Sequence, residues 1–275
     1  MAMSTPSDPR SRQPGGASSD QTPMRGNCAR SRPLSGASWE KQVAALLAAG
    51  RRVITYDRRG FGKSSQPSTG YDYNTFADDL HALVTTLDLR DFALVGFSMG
   101  SAEVHGYIGK YGTERISKAV LIGVLPPFLL KTDDNPGGVD KSVFEGIQAG
   151  IVADRPAFLS AFLANFYNTD VLGGKRISEQ AVQASWTVAI GASAKGTLDC
   201  VQSWLTDFRG DIPKFNIPTL LIHGDADRVL PIDVTAIPLS KQIPGAKLVV
   251  IPDGPHGILW THAEEVNAAL IPFLK

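Results

Sequence analysis

A serine, an aspartate and a histidine carry the chemistry that this sequence can perform. Ser98 lies in Gly96-Phe97-Ser98-Met99-Gly100, a G-x-S-x-G pattern. An alcohol is a weak nucleophile, so it needs a neighbouring base, and that base needs an orienting carboxylate. An apolar strand ends at Gly96 and a helical stretch begins at Met99, which is the setting that exposes such a serine. The pattern predicts Ser98 as a nucleophile, with the Met99 N–H at a helix N-terminus as an oxyanion donor.

The acid and the base are expected in the loops that follow two later strands. After a strand ending at Ile222 come Asp225, close to the strand end, and Asp227, further into the loop. Asp227 is favoured because its position lets it reach a histidine across the top of the sheet. A short glycine-rich loop after the next strand carries His256, where a general base is expected. The order serine, acid, histidine is one that such trios adopt, so Asp227 and His256 are predicted as the partners of Ser98.

Two unlike regions make up the chain that must position these residues. Residues 1–32 are rich in Ser, Pro, Gly and Arg and show no strand or helix period, which predicts a disordered tail. Beyond them, short apolar runs alternate with helical stretches, as in a parallel sheet covered on both faces. This pattern predicts an α/β fold with a mostly parallel sheet flanked by helices, in a core of 33–125 and 216–275. The predicted strands are 52–56, 92–96, 119–122, 219–222 and 247–251.

The interval 126–215 breaks the alternation of strands and helices. It contains amphipathic helical patterns, and a structureless loop of that length is unusual inside a compact domain. We interpret it as a helical cap inserted between two strands of the core. Phe128, Phe162 and Trp186 are candidates for lining a pocket for an apolar acyl or aryl group, with packing inside the cap as an equal alternative.

The bulk composition argues against several classes of protein. Lys+Arg 27 and Asp+Glu 27 balance, so nothing points to nucleic acid or to an anionic membrane as a partner. Cys28 and Cys200 make neither a disulfide framework nor a metal site, and His223 with Asp225 and Asp227 lacks a second group of ligands. No apolar run has the length of a membrane span, and no secretory leader is recognised. We expect a cytoplasmic protein without metal or other cofactor. The sequence is compatible with a homo-oligomer and does not determine the oligomeric state.

Four segments together carry a resemblance to a known family. Residues 56–67 read Y-D-R-R-G-F-G-K-S-S-Q-P, 96–100 read G-F-S-M-G, 223–227 read H-G-D-A-D, and 256–257 read H-G. Over 33–275 the sequence resembles the cofactor-free bacterial haloperoxidases, which are also described as non-heme chloroperoxidases, arylesterases or perhydrolases.

The resemblance implies an α/β-hydrolase fold and a catalytic triad of Ser98, Asp227 and His256, with neither metal nor haem. It also implies acyl transfer, in which Ser98 attacks a small-molecule ester or a short carboxylic acid to give an acyl-enzyme. Water then yields hydrolysis, whereas hydrogen peroxide yields a peracid. The peracid oxidises halide without the enzyme, which accounts for the peroxidase names.

The N-terminal part departs from the family pattern. Where the family carries His-Gly-aromatic before a proline, this chain has Arg30-Ser31-Arg32, so the backbone N–H of Arg32 would be the second oxyanion donor. Segment 22–29 has no apolar run, and we expect the central strand of the sheet to be missing or degenerate. We interpret the first thirty or so residues as an altered reading of the gene or as a degenerate copy.

A competing hypothesis follows from this departure. The protein would be a non-catalytic relative that keeps a ligand pocket but has lost its oxyanion loop, because losing one oxyanion donor costs about 3–4 kcal/mol of transition-state stabilisation. A dehalogenase or an epoxide hydrolase on the same fold is disfavoured, since those enzymes carry a carboxylate where this chain has Ser98.

Overall fold

A parallel sheet forms the centre of the computed structural model, which describes residues 26–30 and 34–275. In the described residues the sheet has six strands, β1 (Gly26–Arg30), β2 (Arg52–Thr55), β3 (Phe92–Phe97), β4 (Ile116–Ile122), β5 (Thr219–Gly224) and β6 (Lys247–Ile251). Their order is β2-β1-β3-β4-β5-β6, and each neighbouring pair is parallel. β3 and β5 are buried along their whole length, which explains why they read as continuous apolar runs.

β1 occupies the interior position that the sequence was expected to leave empty. It pairs with β2 on one side and with β3 on the other. The prediction that residues 1–32 form only a tail, and that 22–29 supplies no central strand, is therefore wrong for Gly26–Arg30. An interior strand is held by backbone N–H and C=O groups on both sides, which any residue except proline offers, so an apolar run is not required. The rest of the expected tail, 1–25 and 31–32, lies outside the described residues.

Helices cover both faces of the sheet, and the alternation along β3 shows how. Ala93, Val95 and Phe97 pack in a cluster with the helices 40–48 and 263–273. Phe92 and Leu94 pack on the other face with the helices 73–86, 99–111 and 236–242. The helices are α1 (Glu40–Ala48), α2 (Tyr73–Thr86), α3 (Met99–Tyr111), α4 (Lys141–Phe166), α5 (Thr169–Leu172), α6 (Glu179–Ile190), α7 (Ala194–Ser203), α8 (Ala236–Gln242), α9 (Ile258–Thr261) and α10 (Ala263–Phe273), with 3₁₀ helices at Gly36–Trp39, Arg209–Lys214 and Ile232–Val234.

The helices α4 to α7 lie between β4 and β5, inside the interval 126–215. α4 is kinked where Asp154 leaves helical geometry, two residues before Pro156, which has no N–H to give to the helix. The Asp154 carboxylate accepts the N–H of Ala157 at 2.9 Å and so begins the second half of the helix. Nowhere in the described part of the chain is a helix both long and apolar enough to cross a membrane.

Candidate active site

Ser98 lies in a sharp turn between β3 and α3. Its φ of 54° belongs to a region that residues with a side chain rarely occupy. The Ser98 N–H donates to the Ile122 carbonyl at 2.8 Å, and the Ser101 hydroxyl donates to the Ser98 carbonyl at 2.6 Å. A side chain at Gly96 would place its Cβ 2.2 Å from the Gly100 carbonyl oxygen, so the turn requires glycine there. These contacts hold the strained turn that presents the Ser98 side chain at the edge of the sheet.

Three side chains from the C-terminal ends of β3, β5 and β6 form one hydrogen-bonded chain. Ser98 Oγ lies 2.8 Å from His256 Nε2, and His256 Nδ1 lies 2.6 Å from Asp227 Oδ2. The side chains of His256 and Asp227 are fully buried, whereas Ser98 is only half-buried. Because the strands are parallel, their carboxyl ends meet at one edge, which is why residues so far apart in sequence meet. The structure thus brings together the serine, the acid and the base selected from the sequence.

The Asp227 carboxylate is fully engaged by its surroundings. Oδ1 accepts the N–H groups of Val229 at 2.9 Å and of Leu230 at 2.8 Å, while Oδ2 faces His256 and His223. Burial acts to raise the pKa of the Asp227 carboxyl. The charge on His256 and the hydrogen bonds from both histidines outweigh that effect and hold the pKa well below its usual range. Asp227 is therefore an anion that stays ionised while the imidazole changes its charge.

The other aspartate of the β5 loop has a different environment. Asp225 is exposed and accepts the backbone N–H of Asp253 at 2.7 Å, which ties the β5 loop to the β6 loop. The distance from the strand end separates the two aspartates, because Asp225 directly follows β5 and Asp227 lies further into the loop. Among the residues that the structure describes, no group of three or more His, Cys, Asp or Glu side chains is arranged to hold a metal ion.

Aromatic rings enclose the buried histidine. The ring of His256 lies 5.2 Å from that of Phe97, at the end of β3, and 5.0 Å from that of Phe166, at the end of α4. The N–H of Gly257 donates to the Phe166 carbonyl at 2.8 Å, so the end of α4 is fixed against the histidine loop. Phe97 and Phe166 also line a cavity of about 200 Å³ beside the site. No local pattern in the sequence indicates the Phe166 contact, because 90 residues separate it from His256.

The three aromatic residues predicted to line a substrate pocket lie in different surroundings. The ring of Phe162 is 5.7 Å from that of Phe166, one ring removed from His256. Trp186 donates its indole N–H to the Pro156 carbonyl at 3.2 Å, and Phe128 lies 4.7 Å from the Arg209 guanidinium. Direct contact with the imidazole is made by Phe166 instead, and the predicted pocket role of the three residues stays a prediction.

A buried ion pair supports the start of α3. Arg58 and Glu103 are both almost completely buried and contact each other, and Arg58 also donates to the Met99 sulfur at 3.5 Å. The rings of Phe61 and Phe76 lie 5.5 and 5.0 Å from the guanidinium carbon. The pair therefore joins the loop after β2 to the helix that begins beside the nucleophile. In the sequence, Arg58 stands out only as part of the family pattern.

One of the two predicted oxyanion donors, Met99, lies within the described residues. Met99 is the first residue of α3, and the first N–H groups of a helix have no partner within that helix. Its side chain is buried in a cluster with Phe61, Phe76 and Leu125. Arg32 lies outside the described residues.

The family of the chain follows from a comparison with known proteins. Residues 26–263 match the model of a family described by its alpha/beta hydrolase fold, and this match begins at the first residue of β1. The chain therefore belongs to the α/β-hydrolase family, and the predicted fold is confirmed.

Individual relatives narrow this assignment. A Synechocystis sp. protein, whose name assigns it provisionally as a non-heme chloroperoxidase, is 66% identical over 243 residues, with 88% of each chain covered. A bifunctional esterase/perhydrolase of Acinetobacter calcoaceticus is 35% identical over 245 residues, again with 88% of each chain covered. The crystal structure of a bromoperoxidase from Bacillus anthracis superposes with a TM-score of 0.88 at 49% identity, covering 92% of both chains. Within the family, the chain is thus an enzyme of the non-heme haloperoxidase group, as the resemblance implied.

Proposed function

We propose that the protein is a serine hydrolase that cleaves carboxylic esters through an acyl-enzyme. The observation that carries this proposal is the chain of hydrogen bonds from Ser98 Oγ through His256 to Asp227. His256 Nε2 accepts the hydroxyl proton as Ser98 Oγ attacks the ester carbonyl carbon, and Asp227 stabilises the resulting imidazolium. The imidazolium then gives that proton to the leaving alcohol, and Ser98 is left acylated. Water, activated by the same histidine, releases the carboxylic acid and restores the serine.

The negative charge that develops on the carbonyl oxygen needs hydrogen-bond donors. The backbone N–H of Met99 is the first of these in our proposal, supported by its place at the start of α3 and by the field of the helix. The backbone N–H of Arg32 is proposed as the second, on the position of that residue in the family pattern. The non-catalytic alternative is not favoured, because the relatives carry enzyme names and because β1 fills the central position.

A second acyl acceptor, hydrogen peroxide, belongs to the same proposal. A short carboxylic acid acylates Ser98 with release of water, and peroxide then takes the acyl group to give a peracid and free serine. The peracid leaves and oxidises halide in solution, so no redox centre is required in the protein. This extension is supported by the name of the Acinetobacter relative, which combines esterase and perhydrolase activities.

Hydrolysis of a short aryl ester by the purified full chain tests the proposal, alongside labelling by a serine-reactive phosphonate. We expect turnover and a single phosphonate adduct on Ser98 in the wild type, and neither in Ser98→Ala. Peracid formed from acetate and hydrogen peroxide is measured in parallel with the same pair. A folded wild-type protein that neither labels nor turns over would overturn the hydrolase proposal, and ester turnover without peracid would overturn only its extension.

A further inference from the structure

His223 is a buried histidine that the proposed mechanism does not use. It is the next-to-last residue of β5, and its side chain is completely buried. Its Nδ1 accepts the backbone N–H of Val124, which follows β4, at 2.9 Å. A backbone N–H is only ever a donor, so Nδ1 must carry a lone pair, and the proton of the neutral ring sits on Nε2.

The protonated nitrogen of His223 points at the loop of the acid. Nε2 lies 2.8 Å from the Leu230 carbonyl oxygen and 3.1 Å from Asp227 Oδ2. Both atoms are acceptors, so the single N–H is shared between them. The N–H of Leu230 in turn donates to Asp227 Oδ1 at 2.8 Å. The imidazole therefore joins the end of β4 to both ends of the loop 227–230.

We propose that His223 is a positioning residue for the acid–base pair, an inference that rests on the proposed serine hydrolase function. The neutral ring, with its proton fixed on Nε2, holds Asp227 Oδ2 in the direction of His256 Nδ1. The charged and titratable groups that face this ring are Asp227 and, through it, His256. The Asp227 carboxylate already accepts a hydrogen bond from His223. It therefore attracts the proton on His256 Nδ1 less strongly. The proton therefore stays on the catalytic imidazole during the reaction.

Two substitutions test the hydrogen bonds of the two ring nitrogens of His223 separately. In His223→Gln the amide nitrogen reaches the place of Nε2 and keeps a donor beside Asp227, whereas in His223→Asn the amide reaches only as far as Nδ1 and keeps the acceptor for Val124. We expect His223→Asn to lower kcat by about tenfold or more with KM little changed, a loss in the range found for residues that orient metal-bound histidines. In His223→Asn, the acidic limb of the pH profile of kcat/KM should move to higher pH. The reason is that an Asp227 carboxylate with one hydrogen-bond donor fewer stabilises the His256 imidazolium more.

The conservative variant and a matched control complete the kinetic experiment. His223→Gln should keep the acidic limb at its wild-type position. His105 is an equally buried histidine whose ring nitrogens make no hydrogen bond within the described part of the chain, so His105→Asn controls for the loss of a buried ring. The His105→Asn variant should keep kcat and the acidic limb of the pH profile of kcat/KM near their wild-type values. A folded His223→Asn protein with an unchanged limb and unchanged kcat would overturn the inference.

A measurement on the wild-type protein does not depend on how any variant folds. Nitrogen-15 NMR of the full chain, labelled at histidine and assigned with His223→Gln, reports which ring nitrogen carries the proton. At pH 8 we expect His223 to carry its ring proton on Nε2 and a lone pair on Nδ1, and the opposite tautomer would overturn the inference. Phosphonate labelling of Ser98 tests the hydrolase proposal separately. If labelling fails, the proposed function fails, and the tautomer of His223 still decides whether it positions Asp227.

Discussion

Two buried pairs of charged or titratable groups contact the turn that carries the nucleophile, and they differ in what surrounds them. In the first pair, Asp227 holds His256 and its carboxylate is saturated with hydrogen bonds, and the series of hydrogen bonds ends at the half-buried Ser98. In the second pair, Arg58 and Glu103 lie among aromatic rings, and the guanidinium meets the Met99 sulfur. The first pair is arranged so that His256 can take up the proton of Ser98 while Asp227 stays ionised. The second joins a loop to a helix, so we expect it to contribute stability rather than turnover.

The largest effect is expected from the first pair. Asp227→Asn should lower kcat by about 10⁴-fold, because an amide in place of the carboxylate neither stabilises the imidazolium nor fixes the tautomer of His256. Single-turnover hydrolysis of an aryl ester measures this loss. The control is Asp225→Asn, which alters an exposed carboxylate that binds the Asp253 backbone and should retain most of the activity. Equal losses in both variants would contradict the separation of the two aspartates.

The second pair should respond in stability. Glu103→Leu removes the partner of a buried guanidinium, and leaving a buried charge without its partner costs about 3–5 kcal/mol of unfolding free energy. The double variant Arg58→Met/Glu103→Leu should regain much of that loss, since no buried charge remains. Urea unfolding at pH 7 measures both. A Glu103→Leu protein that kept wild-type stability and lost its activity would contradict the assignment of this pair to stability.

His105 is a buried histidine that belongs to neither pair, and it adds a pH-dependent effect on stability to the comparison. Burial beside Phe208 and Phe215 lowers the pKa of His105 to about 3. Between pH 6.5 and 3 the unfolded chain therefore binds a proton that the folded chain does not. His105 thus lowers the unfolding free energy by roughly 1.4 kcal/mol for each pH unit below 6.5. His105→Leu should remove this part of the pH dependence, measured as the difference from wild type at pH 7 and pH 5. An identical pH dependence in both proteins would contradict the neutral state of the ring.

An effect on stability of similar size is expected at the loop that carries Arg58. The preceding Asp57 accepts the N–H of Gly36 at 2.7 Å and that of Lys63 at 2.8 Å, so one carboxylate joins two loops. Asp57→Asn turns one acceptor into a donor and should cost about 1.5–3 kcal/mol of unfolding free energy, the range for hydrogen bonds to charged groups. Thermal unfolding measures it, with the exposed Asp133→Asn as the control, for which we expect little change.

Local patterns in the sequence predicted the parts of the site that depend on local geometry. Gly96 and Ser98 define a turn within a few residues, and Asp227 was selected over Asp225 by its distance from a strand end. β1 was missed because its place depends on backbone pairing with β2 and β3, which its side chains do not reveal. The contact of Phe166 with His256 also escaped prediction, since it joins residues that only the folded chain brings together.

The order β2-β1-β3 has a consequence for how the molecule comes apart. In the described sheet, β2 pairs with no strand other than β1, so β1 supplies all the backbone pairing of this edge strand. Without β1, β2 would have no neighbouring strand in the described sheet, and the edge of the sheet would pass to β3, the strand that leads into Ser98. Amide hydrogen exchange should therefore show β1 and β2 opening as one unit, apart from the strands β3 to β6.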